Sequence, residues 1–523
     1  MLLLKTKPIR YILILSFLFY LIPCLICLHP EDPDEVDYKY TSTLLSQKGR
    51  IWFESKGDAI FGEEGFIPRH FSYNLNGKVV PYGSPGFILF LALLKLLLPN
   101  FIEILVNPLL AVACIYLIYR ISKIIFDDEK KSLYAAILFA SMPLVLRSAY
   151  SIISDLLNLI IFLITLLLIL MILQNGNKKN YILLGICLGL LPWVRQSSVI
   201  LFIPLGIFIL LYRKKLINRN LVFTLVVTTF FVIGLLVFSL KIFGSIFTTG
   251  HLAVKYSVSE REALSKILYL LHIFPDAILN NFRFMPAAFL LAFPPIIFSM
   301  FGLYYARFKE ISRIFLVYFI LLAIVLILFF SNFKTYGLVE RNLTFHSSFL
   351  RYLLPFFALL PIFAVIGIFE LGNKIKIVFY TLLIFNLTIA VFGPHGLAED
   401  IEARLYYREA SHFLLENTNE KSVVFSWYWD KSVFPDRIVY TKEDLTNEEL
   451  SKLIDKIKDN NYKIYYIHHK NSMDKEKFLI DNYDVKIIKG PILKNPFLRF
   501  INPPQNIYPI KIYEICGSRS KVE

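Results

Sequence analysis

The stretch "YILILSFLFYLIPCLICLHPEDPDEVDY" (residues 11–38) decides how this chain is read. Residues 11–28 form an almost unbroken apolar run, close to the ~20 residues a helix needs to cross a bilayer. No small-residue cleavage site follows, and the run is long for the h-region of a signal peptide, so it reads as a retained first helix. Directly after it come five carboxylates: Glu31, Asp32, Asp34, Glu35 and Asp37. Membrane surfaces commonly carry negative charge of their own, so an anionic cluster at this boundary needs a chemical reason.

Working outward, the 523-residue chain is 56% hydrophobic and only 18% charged, against about 25% charged in soluble domains. Apolar runs near 102–122, 132–146, 153–173, 181–193, 197–212, 221–244, 286–304, 314–331, 352–370 and 377–393 join the one at 10–29. They imply an α-helical polytopic membrane protein of about eleven crossings. The run "GFILFLALLKLLL" (86–98) is short and is closed by Pro99 and Asn100. Counting it as a crossing would put the later basic loops on the wrong side, so it reads as a short re-entrant or juxtamembrane helix.

The net charge of +15 invites a nucleic-acid reading. The basic residues, however, sit in short loops, among them Lys5, Lys7 and Arg10, Lys130 and Lys131, and Arg213 to Lys215. That is the positive-inside pattern of cytoplasmic loops, and no nucleic-acid motif accompanies it. The N-terminus is then cytoplasmic and, after an odd number of crossings, the C-terminal part is extracytoplasmic. The five cysteines imply no disulfide framework; "CLIC" (24–27) has CxxC spacing but no partner pair.

Two domains follow: a transmembrane domain over 1–393, with a first extracytoplasmic loop at 30–85, and a small soluble α/β domain over 394–523. In the latter, "EDLTNEELSKLIDKIKDN" (443–460) is an amphipathic helix with a capping box from Thr446 to Glu449. "KIYYIHH" (463–469), "DVKIIKG" (484–490) and "NIYPIKIYEI" (506–515) read as strands. In the first loop, "YKYTSTLLSQKGRIWFE" (38–54) is a short amphipathic helix with interfacial aromatics, and "GKVVPYGSPG" (77–86) is a Gly/Pro-rich turn into an apolar run.

In this order the motifs resemble the GT-C superfamily of integral-membrane glycosyltransferases. The likeness is to the branch of protein O-mannosyltransferases and aminoarabinose transferases, a glycosyltransferase family 39-like pattern. "PDEVDY" (33–38) is similar to the acidic pair after the first helix, and "GKVVPYGSPG" to the turn that opens the next. "MPLVLRSAYSIISD" (142–155), "GLLPWVRQSSVILFIPL" (189–205) and "FLRYLLPFFALLP" (349–361) match the later elements. Two positions depart from the pattern: the turn at Lys78 lacks the double proline, and Val194 replaces a threonine. The resemblance implies an inverting transferase that takes a sugar from a polyprenyl-phosphate donor. It also implies a hydroxyl acceptor, on protein or glycolipid, at the outer face of the bilayer.

The chemistry is consistent with that. An outward-facing transferase lacks nucleotide sugars and must use a donor that crosses as lipid, and no P-loop or Rossmann glycine motif is present. The phosphate leaves readily, so the requirements are a base for the acceptor hydroxyl and cations for the phosphate. Asp34 is the expected base, with Glu35 its near rival. Arg195 and Arg351, supported by Arg147, are the expected phosphate ligands, because the guanidinium fork donates in parallel; snorkelling to the interface is the alternative for each. Asp155 is placed to pair with Arg147. Lys78 and Tyr82 of the turn, and Arg341 and His346 of the last outer loop, are further substrate-binding candidates. Asp32 and Asp34 match a DxD pattern that can share a divalent metal. "NLT" (342–344) is an outward sequon, and "SWYWDKS" (426–432) reads as a packed aromatic turn. A lipid or solute transporter and a non-catalytic membrane scaffold are the rival readings; no matching halves of the kind transporters show are evident.

Overall fold

The computed structural model describes residues 7–26, 30, 32–74, 76–98, 102–246, 274–308, 310–332, 348–394, 396–426, 429–442, 445–467, 473–490 and 511–518. Arg341, His346 and the sequon at 342–344 lie outside the described residues, as does most of the outer segments at 245–285 and 332–351. The chain divides into two compact units. The first comprises Met1–Ile26, Ser84–Ser239 and Leu264–Asp400, and the second Cys27–Gly83, Leu240–Ala263 and Ile401–Glu523.

The first unit is helical. By length and composition, Pro8–Ile26, Ile102–Phe126, Asp155–Asn175, Leu221–Phe243, Ile311–Ser331 and Ile375–Phe392 suffice to cross a membrane. Two expected crossings are sharply bent. The run at 132–146 is a pair, Glu129–Ala140 and Pro143–Ala149, bent by 63°. The run at 286–304 falls on Pro275–Ala292 and Ile296–Ala306, bent by 96°. Proline explains both, since it has no N–H to donate and pushes the residue before it out of the helical region. Met142 before Pro143 has ψ 127°, and Phe293 before Pro294 has φ −154° and ψ 85°. The run at 86–98 is the helix Pro85–Leu97, 13 residues long, which at ~1.5 Å per residue is shorter than the ~30 Å hydrocarbon core. These elements, with Gln196–Leu211 and Leu354–Phe369, add short apolar helices to the unit.

Backbone carbonyls at the first bend are caught by side chains, as a hydrocarbon environment demands. The hydroxyl of Tyr20 donates to the Ala140 carbonyl at 2.6 Å, and Asn386 Nδ2 donates to the Leu138 carbonyl at 3.5 Å. Ile296–Ala306 and Leu360–Phe369 approach through two glycines. A Cβ on Gly302 would lie 1.7 Å from the Phe363 carbonyl oxygen, and one on Gly367 would lie 2.2 Å from that of Phe298. This is close packing through small residues, where apolar burial against lipid offers little drive.

The second unit is α/β. The helix Pro33–Lys48 and a hairpin of β1 (Phe71–Tyr73) and β2 (Val79–Pro81) come from the first loop. A five-stranded sheet comes from the C-terminal part: β3 (Ser422–Phe425), β4 (Ile438–Tyr440), β5 (Lys463–Ile467), β6 (Tyr483–Lys489) and β7 (Lys511–Ser518). Its order is β4-β3-β5-β7-β6, parallel through β4, β3 and β5 and antiparallel at β7 and β6. Strand period two sorts the side chains. Val423, Phe425, Ile464 and Tyr466 face the helix Asn447–Asp459, while Val424, Tyr465 and Ile467 face Tyr407, Leu414 and Trp429. The capping box at Thr446 and Glu449 starts that helix. First-loop residues complete the core: Phe66 packs on Tyr440 at 4.8 Å between ring centres and Phe61 on Tyr462 at 5.4 Å.

Gly302→Val is therefore expected to lower the thermal stability of the purified protein, by roughly 1–3 kcal/mol of overpacking. An unchanged melting curve contradicts the close helix contact.

Candidate functional site

Four of the five clustered carboxylates open a helix, Pro33–Lys48, with Asp32 at the N-cap, Asp34, Glu35 and Asp37 in its first turns and Pro33 in the first turn; Glu31 lies outside the described residues. Carboxylates are favoured there by the helix dipole and by unsatisfied N–H groups. The side chain of Glu35 folds back so that Oε2 accepts from the Asp32 N–H at 3.2 Å. Its other oxygen, Oε1, accepts from Arg404 Nη2 at 3.1 Å, and the two side chains are 1% and 4% exposed. Glu35, the rival base, is thus buried in an ion pair.

Asp37 is also fully buried. Its Oδ2 accepts from the backbone N–H of Gly83 at 2.6 Å, and its Oδ1 from the Thr41 hydroxyl at 2.9 Å. This joins the helix to the Gly/Pro-rich turn. Gly83 has no room for a Cβ, which would lie 2.6 Å from the Tyr38 ring and 2.9 Å from Asp37 Oδ2. Burial, and less strongly the Asp34 charge, push the Asp37 carboxyl up to about 7 against the help of those hydrogen bonds.

Asp34 differs from both. Its side chain is 29% exposed, and Oδ1 lies 2.6 Å from Nδ1 of His70, itself 33% exposed. His70 has φ 62°, a left-handed backbone that is uncommon away from glycine. Both sides of it are held. The Arg69 backbone N–H and Nε donate to the buried Asp430 carboxylate at 2.7 and 3.1 Å. The His70 carbonyl accepts from the Tyr82 N–H at 3.1 Å, and the Tyr82 ring meets the imidazole edge-on at 5.1 Å. Burial disfavours the imidazolium, but the charge and hydrogen bond of Asp34 outweigh it, so the His70 pKa stands above its ordinary value. Lys78 holds its ammonium 3.6 Å above the Trp52 ring. Asp32 caps the helix while Asp34 faces His70, and among the described residues no group of three or more His, Cys, Asp or Glu converges for a metal. Neither aspartate is assigned as a metal ligand.

In the first unit, the helix Lys178–Val194 ends at Arg195, whose extended backbone (φ −154°) leads into a 3₁₀ turn, Gln196–Leu201. Arg195 and Arg351 are brought together by Asp155, at the start of Asp155–Asn175. Arg195 Nη1 pairs with Asp155 Oδ1, and Arg351 Nε donates to Asp155 Oδ2 at 2.8 Å. Tyr352 lies under the Arg195 guanidinium at 4.4 Å and stacks on Phe330 at 4.7 Å. The free space here is about 10 Å³, room for roughly one water. The expected pairing of Asp155 with Arg147 is corrected. Arg147 instead faces Asp400 at 3.5 Å, both buried, and bonds Ser151. Arg147 sits four residues before Ser151, on the short helix that precedes Asp155, and the two arginines from distant segments take the Asp155 carboxylate between them.

Sequence reasoning missed His70, Arg404, Asp400 and the role of Asp430. Of these only His70 carries a signal, as a histidine in the same outer loop as the acidic cluster; the rest depend on pairings hundreds of residues apart. "SWYWDKS" is a packed turn at its described end, where Trp429 lies against Tyr406 and Tyr407 at 5.6 Å each.

Residues 85–240 match the family model of dolichyl-phosphate-mannose-protein mannosyltransferases. No curated protein matches the chain. Among solved structures, ArnT from Cupriavidus metallidurans bound to undecaprenyl phosphate superposes with a TM-score of 0.60 at 10% identity, covering 97% of each chain. The fold is that of a GT-C glycosyltransferase. The Archaeoglobus fulgidus oligosaccharyltransferase agrees in its apo form, with a TM-score of 0.54 at 14% identity over 93% of this chain and 74% of that one. The same enzyme tethered to an acceptor peptide containing the NVT sequon gives 0.51 at 13% identity, over 92% and 73%. With its apolar helices, the chain is a multi-pass membrane protein.

The Asp37 carboxyl gives a pH signature. Its folded pKa of about 7 lies above the ordinary 3.8, so between these values the folded state holds the proton more tightly than the unfolded one. Its contribution to stability is full below about pH 4 and is lost as pH rises through about 7. Asp37→Asn is expected to flatten that fall in melting temperature between pH 4 and 7; an unchanged slope contradicts the assignment.

Proposed function

We propose that this GT-C protein is an inverting glycosyltransferase that moves a sugar from a polyprenyl-phosphate donor to a hydroxyl acceptor on the extracytoplasmic side. The observation that carries the reading is the division of labour in the acidic cluster. Glu35 and Asp37 are buried and engaged, while Asp34 keeps a partly exposed carboxylate beside an imidazole. A carboxylate within reach of solvent is what general-base removal of a hydroxyl proton needs, an effect typically worth about 10²–10⁴-fold. As the acceptor oxygen attacks the anomeric carbon, the bond from that carbon to the phosphate oxygen breaks. The acceptor proton goes to Asp34, and the phosphate leaves with one more negative charge.

That charge needs donors already in place, the role assigned to Arg195 and Arg351. Together with Asp155 they carry one net positive charge. Each guanidinium has five N–H donors, so Asp155 does not exhaust them. The closed arrangement has room for about a water, so donor binding exchanges Asp155 for phosphate on at least one arginine. Acceptor recognition falls to the second unit in this reading. There a cleft of about 670 Å³ is lined by Tyr40, Phe53, Phe434 and Tyr462 with Arg50 and Lys421, a size suited to a small ligand or short glycan.

The test is a transfer assay with purified protein and radiolabelled polyprenyl-phosphate sugar. Label appearing on a hydroxyl acceptor is the expected result. Counterflow of intact donor across vesicles without transfer favours a transporter, and neither outcome favours a scaffold. In the same system Asp155→Asn is expected to tighten polyprenyl-phosphate binding, because the internal competitor is gone. Weaker binding contradicts the exchange step.

A further inference from the structure

We propose that His70 is the proton acceptor behind Asp34, so that the acceptor hydroxyl proton passes through the Asp34 carboxylate to His70 Nδ1 and leaves from the exposed imidazole. This deepens the glycosyltransferase reading and rests on it. The chemistry asks for such a group. A phosphodiester and an alcohol become a glycoside and a phosphate monoester, whose second ionisation lies at about 6, so near neutral pH the reaction releases a proton. A carboxylate with an ordinary pKa of ~4 takes that proton only transiently. A group that titrates nearer the working pH holds it after the acceptor oxygen has bonded to the anomeric carbon and the phosphate has left.

The geometry supplies the group. Asp34 Oδ1 and His70 Nδ1 are 2.6 Å apart; Nδ1 itself is buried while the side chain as a whole is one-third exposed, so one edge of the imidazole meets the carboxylate and the rest reaches water. The left-handed backbone of His70 is unfavourable for a residue other than glycine and persists only where the surroundings impose it. Here they do. Asp430 grips Arg69 through two hydrogen bonds, and the Tyr82 N–H holds the His70 carbonyl. A residue wanted only for the turn would be glycine or asparagine, which adopt this backbone at little cost. The groups facing the imidazole are Asp34 and Asp37, which favour its protonated form, and Arg69, which opposes it. The balance favours the imidazolium, so the state that follows proton transfer, an ionised Asp34 beside a protonated His70, is stabilised by the contact that forms it. The relay-competent resting form has Asp34 ionised and His70 neutral, so turnover rises with pH through the His70 pKa, above the ordinary ~6.5.

Two variants keep the backbone conformation and separate proton transfer from positioning. His70→Asn retains a polar side chain at Asp34 but cannot take a proton, and His70→Gly leaves a space for free imidazole. The expected result is a fall in kcat of about tenfold or more in both, a small part of the effect of a full general base, with KM for the donor little changed. The rising limb of the pH profile should vanish in His70→Asn, and added imidazole should restore His70→Gly. Wild-type rate and pH profile in His70→Asn, or a slow His70→Gly that imidazole leaves slow, overturns the relay while the transferase reading stands. Absence of transfer in the wild-type protein overturns both. A readout independent of turnover is the pH midpoint of His70 carbethoxylation, followed by peptide mass spectrometry. It should lie above the ordinary value and drop in Asp34→Asn; an unmoved midpoint overturns the Asp34–His70 contact.

Discussion

A carboxylate taken out of water must find a partner, and in the second unit that constraint fixes both structure and chemistry. Unpaired, a buried charge costs several kcal/mol. Glu35 meets it with Arg404, and Asp37 with the Gly83 N–H and the Thr41 hydroxyl. Asp430, on the C-terminal side, meets it with Arg69. Each of these pairs closes a long stretch of chain, so the first loop is tied to its own turn and to the C-terminal sheet. Asp34, partly exposed, lies beside an imidazole held in a conformation its own backbone would not choose.

The same constraint operates in the first unit with the signs reversed. Two guanidiniums at the ends of membrane helices are costly without a counter-charge, and Asp155, at a helix N-terminus where an anion is favoured, supplies it to both. An aromatic stack of Tyr352 on Phe330 holds the Arg195 side. The result is a compact ionic cluster with one net positive charge and little free volume.

How much of this the sequence disclosed follows from the range of the interactions. Apolar runs, the basic loops and the capping box at Thr446 are local, and they made the helical membrane architecture and an α/β C-terminal part legible. The breaks at Pro143 and Pro294 were also local, but hydropathy averaged over a window conceals them. The short strands at Val423 and Val439 were overlooked because three or four buried residues show no clear alternation. In the site, the acidic residues and the arginines were visible as residue types in a suggestive order. What separates Asp34 from Glu35 was not visible, because it depends on Arg404, some 370 residues away. The Arg147–Asp400 pairing is of the same kind: Asp155, eight residues from Arg147, is the nearer carboxylate in sequence, and the structure gives it to two other arginines.

The most direct test of Asp34 as the reactive carboxylate is a single-turnover experiment in which Asp34→Asn is loaded with radiolabelled polyprenyl-phosphate sugar and then mixed with acceptor. Asparagine keeps the size and polarity but cannot accept the proton. The account predicts that donor binds with wild-type affinity while the sugar stays on its phosphate. Transfer at the wild-type rate from the loaded variant would contradict it.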